Sequence, residues 1–141
     1  MYSYKYPRLA LTVDSIVFTK ENTTTFVLLI QRGQEPFKNK WALPGGFVNM
    51  DELLETACRR ELEEETGLKV EQMKQFKAYD AINRDPRHRT ISVVFSAEIP
   101  QKLQVKGGDD AAYAKWFSLS ELPELAFDHQ QILEEFFDIQ P

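Results

Sequence analysis

The sequence predicts an α+β domain, in which segments with strand patterns surround two segments with helical patterns. Three observations predict this class. The chain has 141 residues, enough for one sizeable hydrophobic core. One strong helical pattern stands near its middle, and a second amphipathic one lies close to its C-terminal end. Runs rich in Val, Ile, Phe and Thr fill much of the rest, as strands do. We therefore expect one domain over residues 1–141.

Two strands are expected before the central helix. Residues 9–20 are rich in Val, Ile, Leu and Thr, and residues 25–32 form a second apolar run after a polar turn. Together they predict a hairpin. A polar loop then leads to the tract WALPGGF, in which Pro44 stiffens the entry into two glycines. Trp41 in this tract is better explained as core filling than as a stacking surface.

The central helix is predicted over about four turns. Asp51 can cap it by accepting hydrogen bonds from the first free N–H groups. Apolar residues recur at a spacing of four and form one stripe: Leu54, Cys58 and Leu62. Gly67 is a natural left-handed end.

The later elements follow in order. We expect strands at 69–79, 90–99 and 111–119, a helical turn at 120–124, and an amphipathic helix at 127–139. Asp128 stands where it can cap this last helix.

Three carboxylates lie together on the central helix. Glu61, Glu64 and Glu65 project within an arc of roughly 100° at 3.6 residues per turn. Unpaired like charges oppose a helix, and a hard divalent cation compensates them because it prefers oxygen ligands. A solvated acidic face is the simpler alternative, but it predicts interspersed Lys or Arg, and this run contains only Arg60.

The spacing of these residues resembles a known signature. From Gly46 to Leu68 the chain reads G-x5-E-x7-R-E-L-x-E-E-x-G-L. Its seven fixed identities and two apolar positions match the signature of the Nudix hydrolases without a departure over 23 residues. This resemblance implies an α/β/α sandwich, with a mixed sheet between helices.

The resemblance also implies a set of metal and catalytic residues. The cation is Mg²⁺, which Mn²⁺ can replace, and its ligands are Glu61, Glu64, Glu65 and the carbonyl of Gly45. Glu61 is a ligand or the base, Arg60 orients the cluster, and Glu52 is the structural partner of Arg60. In many Nudix enzymes an acidic residue before the last strand is an additional ligand or the base. Asp109 and Asp110 are both candidates for it, and a turn built from Gly and Asp is the alternative.

Substrate contacts are expected from arginines and one glycine. Arg32 ends a strand close in sequence to the site, where a cation can meet a phosphate, although it can also be a surface charge. Arg84 and Arg87 belong to a basic loop around the turn Asp85-Pro86, which suits a diphosphate unless the loop is simply solvated. Gly46 allows a close approach to the backbone.

Two further tracts indicate which branch of the Nudix family the chain resembles. NRDPRHRTISVVF and EPFKNKWALPGGFV resemble the ADP-ribose pyrophosphatase branch of the family. The implied reaction hydrolyses ADP-ribose to AMP and ribose 5-phosphate. One alternative is a pyrophosphohydrolase of oxidised (deoxy)nucleoside triphosphates. Another is a module that senses ADP-ribose without hydrolysing it, because the tracts also resemble domains of Nudix-related transcriptional regulators.

Composition limits the partners. The net charge of −5 gives no general attraction for nucleic acid or anionic lipid, and no apolar run is long enough to span a membrane. A single cysteine, Cys58, suits a reducing cytoplasm. We expect a cytoplasmic protein whose partner is a small nucleotide, and a homodimer is possible because many Nudix proteins form one.

Overall fold

The structure is a computed structural model that describes residues 3–106 and 111–139. Its elements, in chain order, are β1 (Ala10–Glu21), β2 (Thr24–Arg32), β3 (Trp41–Ala42), β4 (Gly45–Phe47), α1 (Leu54–Thr66), β5 (Lys74–Tyr79), β6 (Thr90–Glu98), β7 (Ala111–Ser118), a 3₁₀ turn (Leu119–Glu121) and α2 (His129–Phe137).

The seven strands form one mixed sheet. Its main order is β3-β2-β1-β6-β5, and β7 pairs with β2. The pairing of β1 with β6 is parallel, and the other pairings are antiparallel. On its other edge β1 changes neighbour, because residues 12–14 pair with β4 whereas residues 18–21 pair with β2. The sheet is therefore split beside the middle of β1.

The two helices cover opposite faces of the sheet. Neighbouring residues of a strand point to opposite faces, so Val13 and Val17 of β1 pack in the cluster that contains α1 residues Ala57 and Leu62. Ile16 belongs to the other cluster, with α2 residues. The predicted α/β/α sandwich is confirmed.

Some predicted boundaries were wrong. The strand expected at 69–79 begins only at Lys74, and the N–H of Met73 is bonded instead to the carboxylate of Glu55 at 3.0 Å. The strands β3 and β4 in the tract WALPGGF were not predicted, because β2 and β1 supply pairing partners that are distant in sequence.

Both predicted caps differ from the structure. The N-cap of α1 is Leu53, not Asp51, and no side chain bonds to it. Asp128 does occupy the N-cap of α2, but its side chain makes no capping bond, because its carboxylate pairs with Arg84. The predicted left-handed end at Gly67 is confirmed, with φ of 78° and its N–H bonded to the carbonyl of Glu63.

Cys58 and Trp41 pack as expected. Cys58 is buried in the cluster of α1, and burial raises the pKa of its thiol far above the usual value, which disfavours reactivity. Trp41 packs against the cluster of α2, with its ring 4.8 Å from that of Phe117. Within the described ranges, no helix combines the length and apolar character needed to cross a membrane.

His129 connects the start of α2 to the sheet. It is 3% exposed, and its Nδ1 accepts a hydrogen bond from the N–H of Leu43 at 3.0 Å. Burial is the largest influence and lowers the pKa of the ring below 6.5. The surrounding charges act in both directions: Asp14 and Asp128 oppose the shift, and Arg84 and Arg32 reinforce it.

We predict that stability falls as the pH drops below 6.5. The unfolded chain then protonates this imidazole while the folded protein keeps it neutral, so the unfolded state binds more protons and the free energy of unfolding rises with pH. The contribution is complete above pH 6.5. Urea unfolding between pH 5 and 7.5 measures this slope, which His129→Gln should reduce. His88→Gln changes the other histidine and should keep the slope; equal slopes in both variants would contradict the assignment.

Candidate active site

A pocket opens where the sheet splits beside β1. Its volume is about 320 Å³. Its walls bring together seven of the residues predicted from sequence: Arg32, Gly45, Gly46, Glu61, Glu65, Arg84 and Arg87. Glu52, Arg60 and Glu64 lie outside its lining. Asp109 and Asp110 lie outside the described residues, so their assignment stays a prediction.

Two glycines allow close packing at this split. A Cβ on Gly45 would lie 2.2 Å from the carbonyl oxygen of Val13, and one on Gly46 would lie 2.5 Å from Cδ of Glu61. The contact at Gly45 is with backbone and excludes a side chain, whereas a side chain at Gly46 would have to displace the carboxylate of Glu61. The glycines thus let β4 fit between β1 and the carboxylates of α1.

The three glutamates of α1 that were predicted as metal ligands have different surroundings. Glu65 is 7% exposed, and its Oε1 accepts a hydrogen bond from the N–H of Gly45 at 2.8 Å. The side chain of Glu61 is 13% exposed, whereas that of Glu64 is 43% exposed. Glu61 and Glu65 therefore face the pocket, and Glu64 lies towards solvent.

Arg60 connects these carboxylates to Glu52. Its Nε and one terminal nitrogen hold both oxygens of Glu52, at 2.9 and 2.7 Å. Its other terminal nitrogen donates to Glu61 at 2.8 Å and to Glu64 at 3.3 Å, and the carbonyl of Phe47 accepts a further bond at 3.0 Å. The bonds from Arg60 lower the pKa of Glu52, and those to Glu52 and Glu61 raise the pKa of Arg60. The arrangement keeps Glu52 ionised beside a permanent cation.

The two arginines of the basic loop each pair with an aspartate. Arg84 donates to both oxygens of Asp128, at 2.9 and 2.7 Å, and its side chain is 4% exposed. Burial by itself lowers the pKa of Arg84, but the bonds and charge of Asp128 outweigh it. Arg87 holds Asp85 in the same way, at 3.1 and 2.8 Å, and its bonds depress the pKa of that carboxyl despite burial. Both pairs give the wall a rigid framework with little net charge.

Arg32, expected as a phosphate contact or as a surface charge, lines the pocket. Its Nε donates to the carbonyl of Pro36 at 2.7 Å, and its guanidinium lies 5.0 Å from the ring centre of Phe127. These contacts hold its cationic plane at the pocket.

Sequence reasoning missed several lining residues, among them Asp14, Thr12, Phe47 and Phe127. Asp14 had a recognisable signal, because it is an acidic residue inside an apolar strand. The aromatic residues had none, since their place depends on how the loops fold over the sheet.

The residues present suit a hard divalent cation by their chemistry. Glu61 and Glu65 offer oxygen donors to one pocket, which is the donor type that Mg²⁺ and Mn²⁺ prefer. Over residues 3–106 and 111–139, no three His, Cys, Asp or Glu side chains are already grouped as a metal site. Glu64 would have to turn away from Arg60 to join such a group.

Comparison with known proteins gives the family. Residues 8–137 match the model of the NUDIX domain. The chain is 43% identical to the ADP-ribose pyrophosphatase of Methanocaldococcus jannaschii over 133 residues, which cover 94% of this chain and 75% of that enzyme. This chain belongs to the Nudix family.

Two solved structures are similar in fold. The NUDIX domain of Shewanella oneidensis NrtR, complexed with ADP ribose, has a TM-score of 0.89 and 31% identity over 97% of this chain and 92% of that one. The bifunctional NMN adenylyltransferase/ADP ribose pyrophosphatase of Francisella tularensis, complexed with AMP and a manganese ion, has a TM-score of 0.85 and 32% identity. The match covers 96% of this chain and 43% of that protein.

Gly46→Ala tests the close packing of β4 against α1. The new methyl group would lie 2.7 Å from both carboxylate oxygens of Glu61, so we expect this side chain to be displaced. Turnover of a diphosphate substrate should fall by roughly tenfold or more, whereas the melting temperature should change by only a few degrees. Steady-state kinetics and thermal unfolding measure the two effects, and full activity with an unchanged melting temperature would contradict the geometry.

Arg60→Lys tests the network of α1. A lysine has one ammonium group and cannot hold Glu52 through two nitrogens while reaching Glu61 and the carbonyl of Phe47. We expect the free energy of unfolding to fall by about 1–2 kcal/mol, allowing for partial exposure of the network. Arg59→Lys is the matched control, since Arg59 makes a longer ion pair, at 3.7 Å, with Glu55 on the same helix. Equal urea midpoints for the two variants would count against this network.

Proposed function

We propose that this protein is a metal-dependent pyrophosphatase that hydrolyses ADP-ribose to AMP and ribose 5-phosphate. The observation that carries the proposal is its 43% identity to an ADP-ribose pyrophosphatase over 94% of the chain. The complete signature and the pocket that gathers Gly45, Gly46, Glu61 and Glu65 support the same reaction.

We propose Glu61, Glu64, Glu65 and the carbonyl of Gly45 as the ligands of Mg²⁺, with Mn²⁺ as a substitute. When bound, the cation supplies charge neutralisation at the diphosphate and acidifies a water molecule. Glu61 is the candidate base, and Asp109 and Asp110 are further candidates. Arg60 keeps Glu61 oriented through the bond at 2.8 Å and is supported by Glu52.

The arginines of the wall take separate tasks in this proposal. Arg32 is assigned to a phosphoryl group, because its guanidinium lies at the pocket. Arg84 and Arg87 line the same pocket, and each shares its charge with a bound aspartate. We assign these two arginines to the shape of the substrate pocket. Gly46 lets the substrate approach the backbone of β4.

A second function is favoured by one observation. Over 97% of its length the chain matches the NUDIX domain of NrtR that was solved with ADP ribose, and it is 34% identical to an ADPR responsive transcriptional repressor of Acinetobacter baylyi. A sensing module would bind ADP-ribose at the same pocket without releasing AMP. The complete set of signature carboxylates favours hydrolysis.

A substrate panel separates the enzyme activities. With Mg²⁺ present, we expect AMP release from ADP-ribose to exceed pyrophosphate release from 8-oxo-dGTP, because the chain is similar to an ADP-ribose pyrophosphatase. Binding of ADP-ribose without AMP release would instead favour the sensing module. Preferred hydrolysis of 8-oxo-dGTP would favour a pyrophosphohydrolase of oxidised (deoxy)nucleoside triphosphates.

Glu61→Gln and Glu65→Gln test the proposed metal site. Each variant keeps the shape of the side chain but loses its charge, so Mg²⁺-dependent ADP-ribose hydrolysis should fall by roughly a hundredfold or more. Glu63→Gln changes an exposed residue of the same helix that pairs only loosely with Lys69, at 3.6 Å, and should retain activity. Full activity in either of the first two variants would contradict the assignment.

A further inference from the structure

β1 places a carboxylate on the wall of the pocket that the proposed mechanism does not use. Asp14 is 7% exposed and lines the pocket. It lies between the buried residues Val13 and Ser15 of this strand. Burying an ionised group is costly unless bonded groups compensate it, so the surroundings of its two oxygens indicate what it is for.

One oxygen of Asp14 is held within the protein. Its Oδ2 accepts a hydrogen bond from the buried hydroxyl of Ser92 at 2.5 Å, and Nε2 of His129 lies 3.7 Å away. Because Nδ1 of His129 accepts the N–H of Leu43, the hydrogen of the neutral ring is on Nε2. The bond from Ser92 thus fixes the orientation of the carboxylate, and the N–H of His129 faces the same oxygen at a longer distance.

The other oxygen lies beside β4. A Cβ on Gly45 would lie 2.4 Å from Oδ1 of Asp14, so the glycine leaves room for this atom. Within the part of the chain that the structure describes, Oδ1 accepts no hydrogen bond. A fixed acceptor without a donor is therefore present in the wall of the pocket.

The chemistry of this acceptor selects its ligand. An ionised carboxylate accepts hydrogen bonds and donates none, and it repels phosphoryl oxygens. It therefore suits an uncharged O–H or N–H group. Thr12 lines the same pocket, and a hydroxyl group can donate to and accept from a polyol.

We propose that Asp14 binds a sugar hydroxyl of the substrate by accepting its hydrogen bond at Oδ1. The inference rests on the proposed function, since it assumes a nucleotide with a ribose. It makes Asp14 a determinant of substrate recognition that is distinct from the carboxylates of α1. Ser92 and His129 then act through Asp14 as positioning residues.

Asp14→Asn is the principal test. The amide oxygen can still accept from Ser92, and the NH₂ group then replaces Oδ1, so a donor meets the donor of the substrate. Calorimetry with Mg²⁺ should show AMP or ribose 5-phosphate binding at least tenfold more weakly than to the wild type. Inorganic pyrophosphate has no sugar and should bind as before. The KM for ADP-ribose should rise by a similar factor, with kcat changed less.

Three outcomes would overturn the inference. Affinities within threefold of the wild type for both products would show that Asp14 makes no such contact. An equal loss for pyrophosphate would assign Asp14 to the cation or to charge. IMP lacks the exocyclic amine of AMP. If the wild type binds IMP as weakly as Asp14→Asn binds AMP, the donor to Oδ1 is that amine and not a sugar hydroxyl.

Two further variants keep the test decisive. Ser92→Ala removes the hydrogen bond that orients Asp14. It should weaken the binding of the same product, AMP or ribose 5-phosphate, by about threefold. This variant replaces Asp14→Asn in the test if Asp14→Asn does not fold. Wild-type affinity in Ser92→Ala would then contradict the inference. Asp138→Asn is the matched control, because Asp138 is exposed at the left-handed end of α2, a conformation that asparagine accepts. A wild type that neither hydrolyses ADP-ribose nor binds either product would contradict the proposed function itself.

Discussion

The close approach of β4 to both β1 and α1 is the constraint on which the pocket depends. Gly45 fits against the backbone of Val13, and Gly46 fits against the carboxylate of Glu61. Because β4 takes the place beside residues 12–14 of β1, β2 can pair only with residues 18–21. The pocket is the space that this change of neighbour leaves open.

The same packing explains how an acidic helix is tolerated. Glu65 accepts a hydrogen bond from the N–H of Gly45. Glu61 accepts one from Arg60, which is itself held by Glu52. Charge-assisted hydrogen bonds of this kind offset the repulsion between neighbouring carboxylates. Glu61 and Glu65 therefore remain available as oxygen donors at one wall.

Much of the fold could be predicted from sequence, because its signals are local. The apolar stripe of α1 and the left-handed end at Gly67 both follow from short-range rules. The short strands β3 and β4 could not be predicted, since each depends on a partner strand supplied by another part of the chain. Asp51 also looked like a cap, but the helix begins two residues later than that role requires.

The candidate site divides in the same way. Glu61, Glu65 and the two glycines follow from a fixed spacing, and the structure brings them to one pocket. The pairing of Arg84 with Asp128 joins residues 44 positions apart, and nothing in their spacing predicts it. The partners of Asp14 are equally remote, because Ser92 lies on a neighbouring strand and His129 lies on the opposite helix.

The charges of the pocket have a consequence for how a divalent ion and an anionic ligand affect each other's binding. Among the described lining residues, five carboxylates accompany three guanidinium groups, and His129 is kept neutral by burial. An anionic ligand therefore meets a wall whose negative charge exceeds its positive charge. If a divalent ion binds at this wall and strengthens the binding of the anionic ligand, the anionic ligand must strengthen the binding of the ion by the same factor, through thermodynamic linkage.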